Sequence, residues 1–355
     1  MAAATSLLTR GLCTSRNPLF RTSHCFTNTK YKPANSFSNP SSTILKMSAR
    51  EFSSYLVTPS ELKEALSKNP PTKISTAPRT VALCASWFLP NDARNGLDTF
   101  RKARIPSSRF FDLDKVCDKC SPYPHMLPSA STFAKAMSGL GIRRDDTVVV
   151  YDSAELGIFS APRVGWTLKA FGHESVHILN NFKLWIEEGF PVESGEFWDV
   201  DTCAYPIPEF DSSKLVEFEE VKEIAKDWNK EGAEGVQILD ARSQGRWSGK
   251  EKEPREGLES GHMPGSISMP VSELLDPVKK TLLPAPELRK IFEKKGVDPK
   301  KPIISSCGTG VTAAVIDAAL QEAGYEEKGR RVYDGSWTEW AMRVKPSDGL
   351  IIKEE

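Results

Sequence analysis

An α/β fold built from two tandem copies of one unit, each a mainly parallel sheet flanked by helices, is the expectation from this sequence. Three observations carry it. The chain has 355 residues, enough for two ordinary domains. Short β-branched runs alternate with helix-length stretches, which implies βαβ units and a sheet covered on both faces. The alternation also occurs twice, so the chain reads as an internal repeat. The first copy runs "TVALCASWFLP", "ARIPSSRFFDLD", "DDTVVVYDSAELGIFSAPRVGWTLKAFG" and "SVHILNNFKLW". The second runs "VQILDARSQGRW", "GHMPGSISMP", "KKPIISSCGTGVTAAVIDAALQEAG" and "RRVYDGSWTEW".

Taken in order, each copy predicts a strand, a short strand, a helix, a strand, a tight loop, a helix, a strand and a Trp-bearing turn. The copies are expected over residues 55–192 and 213–350. Residues 193–212, rich in Pro, acids and Ser without a period, read as the linker. Residues 1–50 contain no Asp or Glu but seven Lys or Arg, among abundant Ser and Thr. Such a segment reads as a disordered mitochondrial transit peptide. Met47 lies just before the first acid, Glu51, and suggests a second, cytosolic form started there.

All 47 acids fall after residue 50, against the remaining 40 basic residues, so the body of the chain is acidic. That argues against a nucleic-acid-binding surface, which needs clustered positive charge. With 39% hydrophobic and 26% charged residues the composition is that of a globular protein. No apolar run approaches the ~18 residues of a membrane span. Seven widely spaced cysteines, an odd number, do not make a disulfide framework. Cys117 and Cys120 form a lone C-x-x-C; a zinc site would want a second pair, and a redox role stays open.

The loop "SSCGTGVTA" concentrates the chemical interest. On residue type alone Cys307 is more often a small buried residue than a nucleophile. Its context favours the nucleophile. A strand ends at Cys307, two glycines follow, and a helix is expected to open around Val311. Unpaired N–H groups and the helix dipole there stabilise negative charge, and cysteines so placed are nucleophilic near neutral pH. Gly308 and Gly310 let the backbone curl so that several N–H groups converge on sulfur. In the first copy Asp152 stands in the cysteine's place, so only the second copy offers sulfur chemistry. A cysteine phosphatase needs an arginine six residues on, but Ala313 occupies that position. Sulfur transfer needs no such arginine.

These motifs resemble the rhodanese homology family. "LDARSQGRWSGKEKEPREGLESGHMPGS" resembles its catalytic-domain signature, "CGTGVTA" the active-site loop of 3-mercaptopyruvate sulfurtransferases, and "YDGSWTEW" their closing segment. "FFDLDKVCDKCSPYPHMLP" and "VVVYDSAELGIFSAPRVGW" are similar to their inactive domain. The resemblance spans roughly residues 55–345 and extends to fungal two-domain members of the sulfur relay for tRNA thiolation. It implies two tandem rhodanese-like domains, the second one catalytic.

By that resemblance Cys307 forms a persulfide, while Arg246 and Arg255 hold the donor's carboxylate and carbonyl. Gly308, Gly310 and Val311 line the substrate loop. Thr309 fills a position usually held by serine, and Asp114 with His125 matches a first-domain pair that assists proton transfer. Asp240, Arg242, His262 and Gly265 also match, with structural roles expected; Trp337 and Trp340 either wall the cleft or fill the core. Neutral Gly308 and Thr309 favour 3-mercaptopyruvate over thiosulfate. Cys84 and the Arg104 of "ARIPSS" depart from the family pattern, and Arg104 suggests a partner-specific surface.

No metal or organic cofactor is implied. The expected partners are a small sulfur donor and a thiol acceptor such as thioredoxin or a sulfur-relay protein. The alternative is a rhodanese-like scaffold or sulfur acceptor in a tRNA thiolation relay, with little turnover of small donors.

Overall fold

The computed structural model describes residues 52–72, 75–197, 200–233 and 235–354. The transit peptide, Met47, Cys13 and Cys25 lie outside the described residues. The first copy runs β1 (Leu56–Val57), α1 (Pro59–Ser67), β2 (Thr80–Cys84), α2 (Gly96–Lys102), β3 (Arg109–Phe110), α3 (Ala130–Gly139), β4 (Thr147–Tyr151), α4 (Ala161–Ala170), β5 (Val176–Leu179) and α5 (Phe182–Glu187). The second runs β6 (Leu215–Val216), α6 (Phe218–Asp227), β7 (Gln237–Asp240), α7 (Gln244–Ser248), β8 (Ile267–Ser268), α8 (Ala285–Lys294), β9 (Ile303–Ser306), α9 (Ala313–Glu322), β10 (Arg330–Tyr333) and α10 (Ser336–Arg343).

The strand orders are β1-β5-β4-β2-β3 and β6-β10-β9-β7-β8, the same arrangement twice, and every pairing is parallel. The repeat seen in the sequence is therefore a repeat in three dimensions. It is also longer than expected at its start. A two-residue strand and helix α1 precede the first predicted strand. Helix α1 is closed by a capping box in which Thr58 and Glu61 satisfy each other's backbone N–H, with Pro59 at the first helical position.

Strand periodicity divides the core. In β4, Val148 and Val150 face the central cluster, while Val149 and Tyr151 face an outer one with Leu62 and Trp185. In the second sheet Ile304 faces outward, beside Trp337 and Trp340. The central cluster is common to both copies and holds Val164 and Leu168 of α4 and Val315 and Ile316 of α9. These two helices pack on one another, and each follows the strand and loop at the centre of its sheet.

The structure decides several readings here. Trp337 and Trp340 are fully buried core residues and do not wall the cleft. Arg104 is buried, bonded to the carbonyls of Gly195 and Glu196 at 2.7 and 3.0 Å, and therefore fastens the segment after residue 192 instead of facing a partner. That segment packs on the first copy, with Tyr205 buried and its hydroxyl 2.9 Å from His173 Nδ1. Cys84 ends β2 where Asp240 ends β7. Its thiol lies 3.3 Å from Ser86 Oγ, and burial pushes its pKa up to about 12.

Asp152, the counterpart of Cys307, shows what this loop can hold. Its buried carboxylate accepts from the N–H groups of Phe159, Ser160 and Ala161 at 2.8–2.9 Å and from Ser160 Oγ at 2.6 Å. Burial pushes the carboxyl pKa up, and these hydrogen bonds pull against it. Asp152→Ala leaves the donors at the start of α4 unpaired. We expect a loss of about 3 kcal/mol in unfolding free energy, read by denaturant titration.

Candidate active site

Cys307 follows β9 at its C-terminal end and is 2% exposed, at the base of a cavity of about 200 Å³ between the copies. Arg246, Arg255, Gly308, Thr309 and Val311 line the same cavity, and Trp87, Leu89 and Phe159 close it from the first copy. The helix expected around Val311 begins two residues later, at Ala313. The extra turn is made possible by Gly310, whose φ of +74° and approach to Asp334 exclude a side chain; an added Cβ would stand 2.6 Å from the Asp334 carbonyl oxygen.

The N–H groups of this loop are arranged differently from expectation. Those of Cys307 and Gly310 both donate to Ser336 Oγ, at 3.1 Å, and not to sulfur. The Ser336 hydroxyl donates to the Tyr333 carbonyl at 2.7 Å and stands 4.0 Å from Cys307 Sγ. Ser336 is fully buried with φ at 49°, a conformation that costs energy away from glycine and is held here by these bonds. The N–H groups of Gly308, Thr309, Val311 and Thr312 donate to no group among the described residues, which leaves them for charge at the loop.

Thr309 Oγ1 lies 3.1 Å from His125 Nδ1, and His125 Nε2 lies 2.9 Å from Asp114 Oδ1. The first copy thus reaches across to the residue two places beyond Cys307. Trp87 Nε1 donates to the same Asp114 oxygen at 3.1 Å and sets its ring edge-on to His125, 4.6 Å between centroids. The His125 hydrogen bond holds the Asp114 carboxyl below its ordinary pKa. Burial pulls the His125 imidazole down, against the opposing pull of Asp114. The neutral imidazole is therefore the resting form at neutral pH, beside an ionised carboxylate.

His125 itself sits at φ 64°, and its carbonyl accepts from Arg163 Nη2 at 2.7 Å. Arg163, fully buried on α4, forms an ion pair with Asp334 of the second copy at 2.5 Å and reaches the Gly310 carbonyl at 3.4 Å. Asp334 also accepts from the Leu127 N–H at 2.7 Å. One clasp between the copies therefore holds both His125 and the cysteine loop.

The two substrate-side arginines differ. Arg246, on α7, pairs with the buried Glu253 carboxylate at 2.5 Å. Glu253 also takes Arg242, which pairs with Asp240 at 2.6 Å and stacks on Trp337 at 4.0 Å. Arg246 is thereby aimed: its Nη2 would stand 3.2 Å from a Cβ at Gly308. Arg255 forms no ion pair or hydrogen bond among the described residues. Burial pulls its pKa down while the nearby Cys307 raises it. It is a cation without a carboxylate, beside the sulfur.

Asp240 and Arg242 are structural, as expected, and so is His262, stacked on Trp247 with centroids 3.7 Å apart. Gly265 turns at φ +73° against Trp228. Cys117 is buried and Cys120 exposed, both free thiols. Sequence reasoning missed Ser336, Glu253, Trp87, Arg163 and Asp334. Glu253 carried a signal, an acid two residues before Arg255, and Asp334 and Ser336 lay within the quoted closing segment.

A Rhodanese-like domain model matches residues 220–343, the second copy. Thiosulfate sulfurtransferase TUM1 of Saccharomyces cerevisiae is 42% identical over 282 residues, 76% of this chain and 90% of that protein. The chain belongs to the rhodanese family. This rhodanese is also 37% identical to human 3-mercaptopyruvate sulfurtransferase over 77% of its own length and 88% of that protein. Among solved structures, the yeast mitochondrial complex I sub-stoichiometric sulfur transferase subunit superposes with a TM-score of 0.74 at 38% identity, over 85% of this chain and all of that one. The rhodanese described here is an enzyme, a sulfurtransferase.

His125 offers a direct check. As pH falls from about 6.5 the unfolded chain takes up a proton before the folded His125 does, so stability declines through that window. His173 and His262, lowered by burial in the same way, share in the decline. His125→Gln should make the decline shallower in pH-resolved unfolding and lower kcat about a hundredfold with little change in KM.

Proposed function

We propose that this rhodanese moves sulfur from 3-mercaptopyruvate to a thiol through a persulfide on Cys307. The observation that carries the reading is that Cys307, Thr309, Arg246 and Arg255 line one cavity of about 200 Å³. That volume suits a three-carbon donor. Arg255, without an acid of its own, takes the donor's carboxylate, and Arg246, already fixed by Glu253, takes the remaining oxygen. Gly308 and Thr309 bring no positive charge beside the sulfur, so doubly charged thiosulfate is the poorer donor.

The relay supplies the proton chemistry. Neutral His125 draws the Cys307 proton through the Thr309 hydroxyl, and Asp114 stabilises the imidazolium formed. The Cys307 thiolate attacks the donor's sulfur. A sulfur–sulfur bond forms, the carbon–sulfur bond breaks with its electron pair leaving on carbon, and pyruvate enolate is released. The proton held on His125 returns through Thr309 to the enolate carbon and gives pyruvate. The persulfide forms with the donor's thiol proton still on its outer sulfur and releases that proton to solvent. Its charge then rests on the N–H groups of Gly308, Thr309, Val311 and Thr312, which donate to no group among the described residues. A small thiol, cyanide, thioredoxin or a sulfur-relay protein then takes the outer sulfur. No step calls for a metal or organic cofactor.

Residues 55–192 are proposed as the supporting domain, 193–212 as the linker and 213–350 as the catalytic domain. Residues 1–50 are proposed as a mitochondrial leader, a reading supported by the mitochondrial source of the yeast relative. N-terminal sequencing of the mitochondrial and cytosolic pools should find a start beyond residue 50 in the first and near Met47 in the second.

Mixing the enzyme with 3-mercaptopyruvate should add one sulfur atom to the Cys307 peptide by mass spectrometry and release one pyruvate. Cys307→Ser should show neither; retained transfer would refute the assignment. Paired Arg246→Ala and Arg255→Ala substitutions should raise KM for 3-mercaptopyruvate about a hundredfold. Absence of the sulfur adduct in the unmodified protein would favour a scaffold.

A further inference from the structure

A second cluster of arginines lies in the first copy, away from the sulfur. Arg79, Arg104, Arg109 and Arg143 line a cavity of about 380 Å³ together with Phe197 and Cys203. Arg79 stands just before β2 and Arg143 before β4, at the ends of these strands opposite to those that lead toward the cleft, and Arg109 opens β3. Glu193, Phe197 and residues 200–203 line it from beyond the first copy.

Among the described residues the charges do not balance. Arg79 and Arg143 share one fully buried carboxylate, Asp146, at 2.7 and 3.1 Å. Arg104 meets Glu193 at 3.4 Å. Arg109 meets no carboxylate among the described residues; it donates to the carbonyls of Leu140, at 3.4 Å, and Ser107. Asp201, the other acid on the wall, has a partner of its own. Arg143 also reaches the exposed Asp145 at 3.8 Å, so among the described residues four guanidinium groups meet three carboxylates and Arg109 is left over. Burial and the neighbouring Arg79 both press the Arg109 guanidinium toward losing its charge. Arg109 is half-buried on the cavity wall, and its guanidinium is met there by carbonyls alone.

We propose that this cavity is a binding site for a phosphate-class anion, inorganic phosphate or a phosphomonoester, with Arg109 as its principal ligand. Arg109, left without a carboxylate, and Arg143, whose second partner Asp145 is exposed and 3.8 Å away, give the cavity the positive character an anion needs. Planar forks arriving from β3, the turn before β4 and the end of α2 suit a tetrahedral group with several acceptor oxygens better than one flat carboxylate. Nothing in the proposed sulfur transfer uses these residues.

Cys203, half-buried on the cavity wall with its thiol 3.1 Å from the Ile142 carbonyl oxygen, provides the readout. Alkylation of Cys203 by iodoacetamide in the full chain is followed by peptide mass, with inorganic phosphate, glycerol phosphate, succinate, or potassium chloride of equal ionic strength. Phosphate or the phosphomonoester should slow alkylation saturably, about tenfold at ten times the dissociation constant. Whichever of the two protects at the lower concentration identifies the preferred source.

Arg109→Gln should abolish the protection and leave the sulfur transfer rate unchanged. Should that variant not fold, Arg109→Lys, which keeps the charge and loses the fork, should weaken protection about tenfold. Protection equal in potassium chloride or succinate, protection unchanged in the Arg109 variants, or no protection in the unmodified protein would each overturn the proposal.

Discussion

The buried ion pair between Arg163 and Asp334 is the interaction on which the cleft depends. It joins the two copies, and its hydrogen bonds reach both the His125 segment and the cysteine loop. Through Arg163 it fixes the His125 backbone in a left-handed conformation and steadies the Gly310 carbonyl; through Asp334 it holds Leu127. Desolvating two charges offsets much of their attraction, so such a pair contributes little net stability over an apolar contact of the same volume. Its contribution here is register. The His125 imidazole meets Thr309 at hydrogen-bond distance only while the copies keep one relative position.

The paired loops after β4 and β9 start from the same position in the same strand order and end in different chemistry. In the first, three N–H groups and a hydroxyl close on the carboxylate of Asp152. In the second, Ser336 Oγ occupies two of the N–H groups, and four others in the loop donate to no group among the described residues. One loop of the duplicated fold is thus filled by its own side chain, and the other, on the proposed route, is left for the anion of the persulfide. The first copy carries Asp152 where the second carries Cys307, yet it supplies His125, Asp114 and Trp87 to the cleft.

Much of this was legible in the sequence. The doubled pattern of β-branched runs and helix-length stretches gave the two sheets, because strands buried on both faces are apolar throughout. The glycines flanking Thr309 marked the cysteine loop, because only glycine turns where Gly310 does. Strands of two residues, such as β1 and β6, carry too few side chains to show a period. The clasp was hidden for a different reason: Arg163 and Asp334 are 171 positions apart, and neither residue type, alone, says what it will face across a domain boundary. Glu253 sat beside Arg255 in the sequence but acts on Arg246, seven residues upstream, because the chain doubles back there.

The placement of Cys307 also governs which molecules can touch it. At 2% exposure, with Ser336 beneath it, the resting sulfur is out of reach of a thiol carried on another protein's surface. A sulfur–sulfur bond is about 2 Å long. On the proposed route, loading the enzyme raises its outermost atom by that length toward the cavity mouth while the cysteine stays where it was. An acceptor with a protruding thiol then meets the cargo without ever meeting the carrier. Depth thus serves as a form of timing: the empty enzyme is shielded from stray disulfide exchange, and the loaded one presents itself.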